Sequence, residues 1–90
     1  LAQNYPNPFN PFTQIEYRLP AIGHVRLSVF NASGQHVRTL VDGLQGPGLY
    51  LRGWDGRDEN GLPTASSVYI YQLQLPEIQI TESKKMILAR

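Results

Sequence analysis

Ninety residues carry eight Lys and Arg against seven Asp and Glu, a net charge of +1, which leaves no electrostatic footprint for nucleic acid or for an anionic membrane surface. No apolar run approaches the roughly 20 residues of a membrane helix, and the absence of cysteine excludes disulfide frameworks, zinc ribbons and thiol catalysis. A chain of this size buries roughly 64% of its unfolded surface, enough for one thin core but not for a deep substrate cleft as well.

The sequence starts at Leu1 and its only methionine is Met86, so it is expected to be a processed or excised piece, with any signal peptide outside it. Eight glycines and seven prolines are spread along the length and leave little room for ordinary helices. Residues 1–12 hold prolines at 6, 8 and 11, so this lead-in must run extended or turn and cannot be a central strand. Tyr5, Phe9 and Phe12 are too apolar for a free linker and are expected to lie against the domain, with the asparagines bonding nearby backbone. A flexible linker is the alternative.

Residues 13–90 read as the sandwich itself. Thr13 to Leu19 alternates, with Ile15, Tyr17 and Leu19 on one face. His24 to Phe30 repeats the pattern with Val25, Leu27 and Val29 inward. Asn31 to Gly34 reads as a hairpin turn, Gln35 to Val41 as its partner strand with Val37 inside, and Asp42 to Gly48 as a loop. Leu49 to Trp54 is irregular, because alternation places Arg52 between Tyr50 and Trp54 on one face. Either a bulge resets the register, or the Arg52 stem packs while its head reaches water. Asp55 to Gly61 is a polar turn. Thr64 to Leu75 follows, and its Val68-Tyr69-Ile70-Tyr71 run predicts a central strand covered on both faces. A turn near Pro76 leads to a last strand ending Lys84-Lys85-Met86-Ile87-Leu88-Ala89-Arg90. The fold class is therefore all-β, an immunoglobulin-like antiparallel sandwich of about seven strands. Ile15, Tyr17, Leu19, Val25, Leu27, Val29, Val37, Trp54, Ile70 and Leu88 should form its core.

Little here carries reaction chemistry. His24 and His36 sit at outward positions without a partner at ligand spacing, and Ser66 and Ser67 lack the glycine-flanked elbow of a hydrolase. Asp55, Asp58 and Asn60 supply oxygens, but not at the alternation of a calcium loop, and such residues are ordinary turn formers. Asn31-Ala32-Ser33 fits a glycosylation sequon and also a plain hairpin turn. Trp54 with Tyr50, Tyr69 and Tyr71 suits a core better than a sugar-stacking platform. No catalysis, cofactor or metal is expected.

Several segments together resemble a known family. Residues 3–13, Gln-Asn-Tyr-Pro-Asn-Pro-Phe-Asn-Pro-Phe-Thr, resemble the opening of the type A C-terminal sorting domains of the type IX (Por) secretion system. The likeness continues through Val25 to Asn31, Gly34 to Leu40, Trp54 to Asp58 with Gly61, Ala65 to Tyr69, and Lys84 to Leu88. The same kind of sandwich is similar to the immunoglobulin-like domain of flagellar hook-capping proteins, the nearest competitor. The resemblance implies a non-catalytic module behind an N-terminal cargo, often a secreted hydrolase. A sorting receptor and translocon would carry that cargo from the periplasm through the outer membrane of a Gram-negative bacterium, to the cell surface or the medium. It implies recognition by Ser67, Val68, Tyr69, Lys84, Lys85, Met86, Ile87, Leu88 and Arg90, with no nucleic acid and no membrane insertion. Lys84, Lys85 and Arg90 are also the one local charge excess, equally suited to protecting an edge strand. Two positions depart from the family: Ser67 stands where glycine is usual, and Arg52 where an apolar residue is usual. If the glycine serves a positive φ, Ser67 adopts it at about 1 kcal/mol. A carbohydrate-binding or adhesion module and a hook-capping-type assembly domain are the alternative functions.

Overall fold

A computed structural model describes all ninety residues. Six strands follow in order: β1 (Thr13–Leu19), β2 (Gly23–Asn31), β3 (His36–Gln45), β4 (Gly48–Trp54), β5 (Ser67–Leu75) and β6 (Ile80–Leu88). A single 3-10 turn, Pro76–Ile78, joins the last two. β1 and β4 form a two-stranded sheet, which packs on a four-stranded sheet of order β3-β2-β5-β6. Every pairing is antiparallel.

Alternation decides which residues meet between the sheets. β1 buries every second residue, and Ile15, Tyr17 and Leu19 face Val25, Leu27 and Val29 of β2 across the core. Trp54 and Leu88 are buried with them, while Val37 and Ile70 are half-buried. Phe9, Val41, Tyr69, Tyr71, Leu73, Leu75 and Met86 complete the core. At one end Trp54 meets Phe9 at 5.7 Å and Tyr69 edge-on at 5.3 Å, and its indole N–H donates to the Arg57 carbonyl at 2.9 Å. Trp54, Tyr69 and Tyr71 are buried as core, the role the sequence favoured over a sugar platform, and Tyr50 is half-buried.

Two readings of the sequence change here, and one open alternative closes. The loop expected over Asp42 to Gly48 is mostly strand, because β3 runs on to Gln45. Pairing of Gly23 to Arg26 with Asp42 to Gln45 supplies ladder partners that outweigh the local turn propensity, and His24 Nε2 lies 2.7 Å from Asp42 Oδ1. β5 is central within its sheet but covered on one face only: Val68 is 38% exposed. The β4 ladder has no bulge. Its regular register sets Tyr50, Arg52 and Trp54 opposite Tyr17, Ile15 and Thr13, and the exposed Arg52 reaches water from the sheet edge.

The lead-in spans from one sheet to the other. Tyr5 exchanges backbone hydrogen bonds with Gln14 of β1, both at 2.9 Å. Farther along, Phe9 N–H donates to the Ile87 carbonyl at 2.9 Å and its own carbonyl accepts from Ala89 at 3.0 Å. Asn7 Oδ1 accepts the Ile87 N–H at 2.9 Å, so this asparagine serves a distant strand, whereas Asn4 Nδ2 donates locally to the Pro6 carbonyl. Asn4 also donates its backbone N–H to the Tyr71 hydroxyl, which donates in turn to the Ala2 carbonyl. Phe9 is 2% exposed, but Tyr5 is 81% exposed and Phe12 49%. Only one of the three lead-in aromatics is inside.

Two predictions follow from this packing. Phe9→Ala should cost about 3–5 kcal/mol in urea unfolding, a large share of the roughly 5–13 kcal/mol such a chain holds, while Tyr5→Ala should stay within about 0.5 kcal/mol. The second concerns acid. The His24 ring, then Arg26, hold the Asp42 carboxyl below the ordinary range, and the His24 backbone N–H does the same for Glu77. Both folded pKa values lie below the unfolded ones. Their stabilisation is therefore present at neutral pH and is lost as pH falls through the folded values, below about pH 4. Asp42→Asn should lower the neutral plateau of a stability-versus-pH curve and flatten its acid limb, leaving only the part of the limb that Glu77 contributes.

Candidate docking site on the last two strands

β5 and β6 bring most of the sequence-derived site residues together and then divide them by face. In register, Ser67 lies opposite Leu88, Val68 opposite Ile87, Tyr69 opposite Met86 and Tyr71 opposite Lys84. Tyr69, Met86 and Leu88 point into the core and are 4%, 0% and 1% exposed. Val68 and Ile87 form an exposed cross-strand pair on the other face, with Ile70 and Phe30 on the same face, opposite Lys85 and Ile70 respectively. His36 meets the Phe30 ring edge-on at 5.8 Å. The outer face of the larger sheet therefore carries an apolar patch bordered by Lys85. Lys84, half-buried, sits toward the inner side at the rim. Neither lysine has an ion-pair partner, since the side-chain ion pairs are His24 and Arg26 with Asp42 and Arg38 with Asp55. Unpaired cations beside exposed apolar side chains can receive a carboxylate-bearing partner with little rearrangement.

Arg90 has a different role. Its guanidinium donates to the Thr64 carbonyl at 2.6 Å and the Gly56 carbonyl at 2.8 Å, and its backbone N–H donates to Ser66 Oγ at 2.9 Å. It clasps the segment entering β5 onto the end of β6. Gly56 makes this possible, with φ at +73° and an approach so close that a β-carbon would stand 2.9 Å from Arg90 Nη2. Ser67 needs no unusual backbone, because Gln79, in the β5–β6 turn, is the sole non-glycine residue at positive φ. The strain anticipated for a serine in place of glycine does not arise, since Ser67 simply opens a regular strand.

The other candidate groups are spent on structure. Asp55 Oδ1 accepts from Arg57 N–H and Arg38 Nη1, and Asp58 Oδ1 accepts from the N–H groups of Asn60 and Leu62. These bonds make compact turns and engage one oxygen of each carboxylate. Asn31 Oδ1 accepts from Ser33 and Gln35, which locks the hairpin and ties down the sequon side chain. The clasp by Arg90 and the strap across the β6 edge were not read from the sequence. An arginine after alternating apolar residues and an asparagine flanked by prolines were the only signals, and both depend on contacts about 24 to 80 residues away in the chain.

Two packed antiparallel sheets of this kind define an immunoglobulin-like domain. Residues 13–75 match the FlgD Ig-like domain family, and the chain belongs to that family. Among solved structures it is similar to FlgD from P. aeruginosa, at 23% identity and a TM-score of 0.65, covering 86% of this chain and 60% of that one. It is similar to PorZ, a bacterial surface component of the type-IX secretion system of Porphyromonas gingivalis, at 18% identity and a TM-score of 0.69, over 98% of this chain and 11% of that one. Dimeric latent PorU from Porphyromonas gingivalis is similar at 18% identity and a TM-score of 0.76, over 97% and 9% of the two chains. The chain thus spans only part of the proteins it resembles, and these likenesses show the fold alone. No curated protein matches it.

Arg90→Ala should lower the melting temperature by about 4–16 °C, since loss of charge-assisted bonds to carbonyls costs about 1–2 kcal/mol and each kcal/mol moves a domain of this size by about 4–8 °C. Lys85→Ala should leave it unchanged. Calcium, added in excess, should not raise the melting temperature of the parent chain.

Proposed function

We propose that this chain is a non-catalytic sorting domain that directs export of an attached cargo through the outer membrane by the type IX secretion system. The observation that carries the reading is the outer face of β5 and β6. There Val68, Ile70 and Ile87 are displayed beside Lys85, an unpaired cation, on strands that the core holds rigid through Tyr69, Met86 and Leu88. The ordered resemblance along nearly the whole chain supports it, and so does the shared fold with PorZ, a component of that system. In this reading Val68, Lys84, Lys85 and Ile87 touch the receptor, whereas Tyr69, Met86, Leu88 and Arg90 hold the strands that present them. The site of action is the periplasm and then the cell surface or medium.

An assembly domain of the hook-capping type is the second reading, favoured by the family match over residues 13–75. Such a domain would work by fixed subunit contacts and would carry no export signal.

One experiment separates them. Fused behind a soluble reporter, the chain should direct release of the reporter from a host with a type IX system. Lys85→Glu with Ile87→Ser changes two exposed positions, so the fold should persist with a melting temperature within a few degrees, while export falls about tenfold or more. A reporter that stays in the periplasm with the parent chain overturns the sorting reading and leaves the assembly domain. Parental export by the folded double variant overturns the assignment of the docking face.

A further inference from the structure

Three strand edges of the sandwich are guarded by other parts of the chain. Tyr5 pairs with β1, Phe9 with the end of β6, and Glu59 bonds β3 through the Val37 carbonyl and the Thr39 N–H. β4 alone has an edge to which no other segment brings a backbone hydrogen bond, because its ladder runs only to β1. Its sequence from Leu49 to Gly53 contains no proline, and Arg52 is its single charge. Its outer face is apolar as well, with Leu49 54% and Leu51 62% exposed. Phe12, itself partly exposed, fills the space above Gly53, where a β-carbon would collide with its ring.

We propose that β4 is a self-association edge, on which two copies of this chain pair antiparallel about a two-fold axis through Leu51. The residues around that point complement one another when the strand is reversed. Leu51 meets Leu51 of the second copy. Leu49, large, meets Gly53, whose space the Phe12 ring occupies, so leucine and phenylalanine come into contact. On the inner face Tyr50 meets Arg52. Tyr50 already stacks on Tyr17 at 5.3 Å, which holds its ring in place for a guanidinium at the edge. The pairing joins two two-stranded sheets into one of four strands and supplies the row of backbone partners that β4 lacks. It also gives Arg52, an unpaired cation on the core-facing side of an edge strand, a partner that the single chain does not offer. An unrelated strand would fill the edge without the leucine-to-glycine and tyrosine-to-arginine matches, which is why a second copy is the occupant. The contact is small, below about 1,200 Å², so association is expected in the range of about 0.1–1 mM.

Sedimentation velocity over a concentration series, to about 2 mM, tests it. The parent chain should shift from monomer toward dimer. Leu51→Lys and Leu51→Glu place like charges opposite each other at the axis, and each alone should weaken self-association about tenfold or more. Mixed in equal amounts they should associate again, since lysine then faces glutamate. Leu51 is exposed, so both variants keep the fold, which the parental circular dichroism spectrum checks. A parent that remains monomeric to the highest concentration overturns the proposal. So does a Leu51→Lys chain that dimerises as the parent does, or a mixture that fails to recover, because residue 51 would then not face itself.

Discussion

A four-stranded sheet cannot be covered by a two-stranded one. The larger sheet turns Tyr69, Tyr71, Met86 and Leu88 toward a neighbour that reaches no farther than β1, and those side chains would stand in water without another layer. The lead-in supplies it. Phe9 enters between Trp54 and the end of β6, and the backbone around it bonds to β1 at one point and to β6 at another. The contact of Phe9 with Trp54, the buried polar link from Asn4 to Tyr71 and Thr13, and the closed β6 edge all depend on that one segment crossing the gap. Burial raises the Tyr71 pKa, consistent with a hydroxyl enclosed by this crossing and bonded to its backbone.

The same economy explains how the candidate docking face is held. β6 is an outer strand, and outer strands fray unless their open side is occupied. Here Asn7 and Phe9 occupy it along the half that carries Ile87, while Arg90 ties the end to the turn at Gly56. The apolar patch of Val68, Ile70 and Ile87 is thus displayed on a rigid floor, and its position is set from the opposite side of the sheet by Tyr69 and Met86. Presentation and packing use alternate residues of the same two strands.

Much of this was legible in the sequence where one physical rule governed. Strict alternation located β1 from Thr13 to Leu19, because one face is water and the other is core along its whole length. The same rule assigned Arg52 to the inward side, and the register bears that out without a bulge. Reading failed where partners distant in the chain decide the outcome. Asp42 and Gly43 look like a turn, yet Arg26 and Val25 across the ladder keep them in a strand. The Val68 to Tyr71 run looks doubly buried, because composition reports how apolar a strand is and not how many sheets there are to cover it. Of the site residues, the sequence placed Lys85 and Ile87 on the last strand, but their pairing with β5 and the division into displayed and buried members needed the register. Arg90 was read as part of a recognition strand, while its hydrogen bonds make it a clasp, a role that no local pattern announces.

The lead-in and the last strand meet through bonds that bridge 80 residues of chain, as between Asn7 and Ile87. Contacts at that separation form only when nearly all of the polypeptide between them is in place. A chain still leaving the ribosome, or one broken short before Met86, has no way to seat Phe9 or to finish the layer over the larger sheet. The sandwich closes only on a chain that already runs through β6. Any partner that reads its outer face reads at the same time that synthesis ran to the end of β6 and that nothing in between was lost.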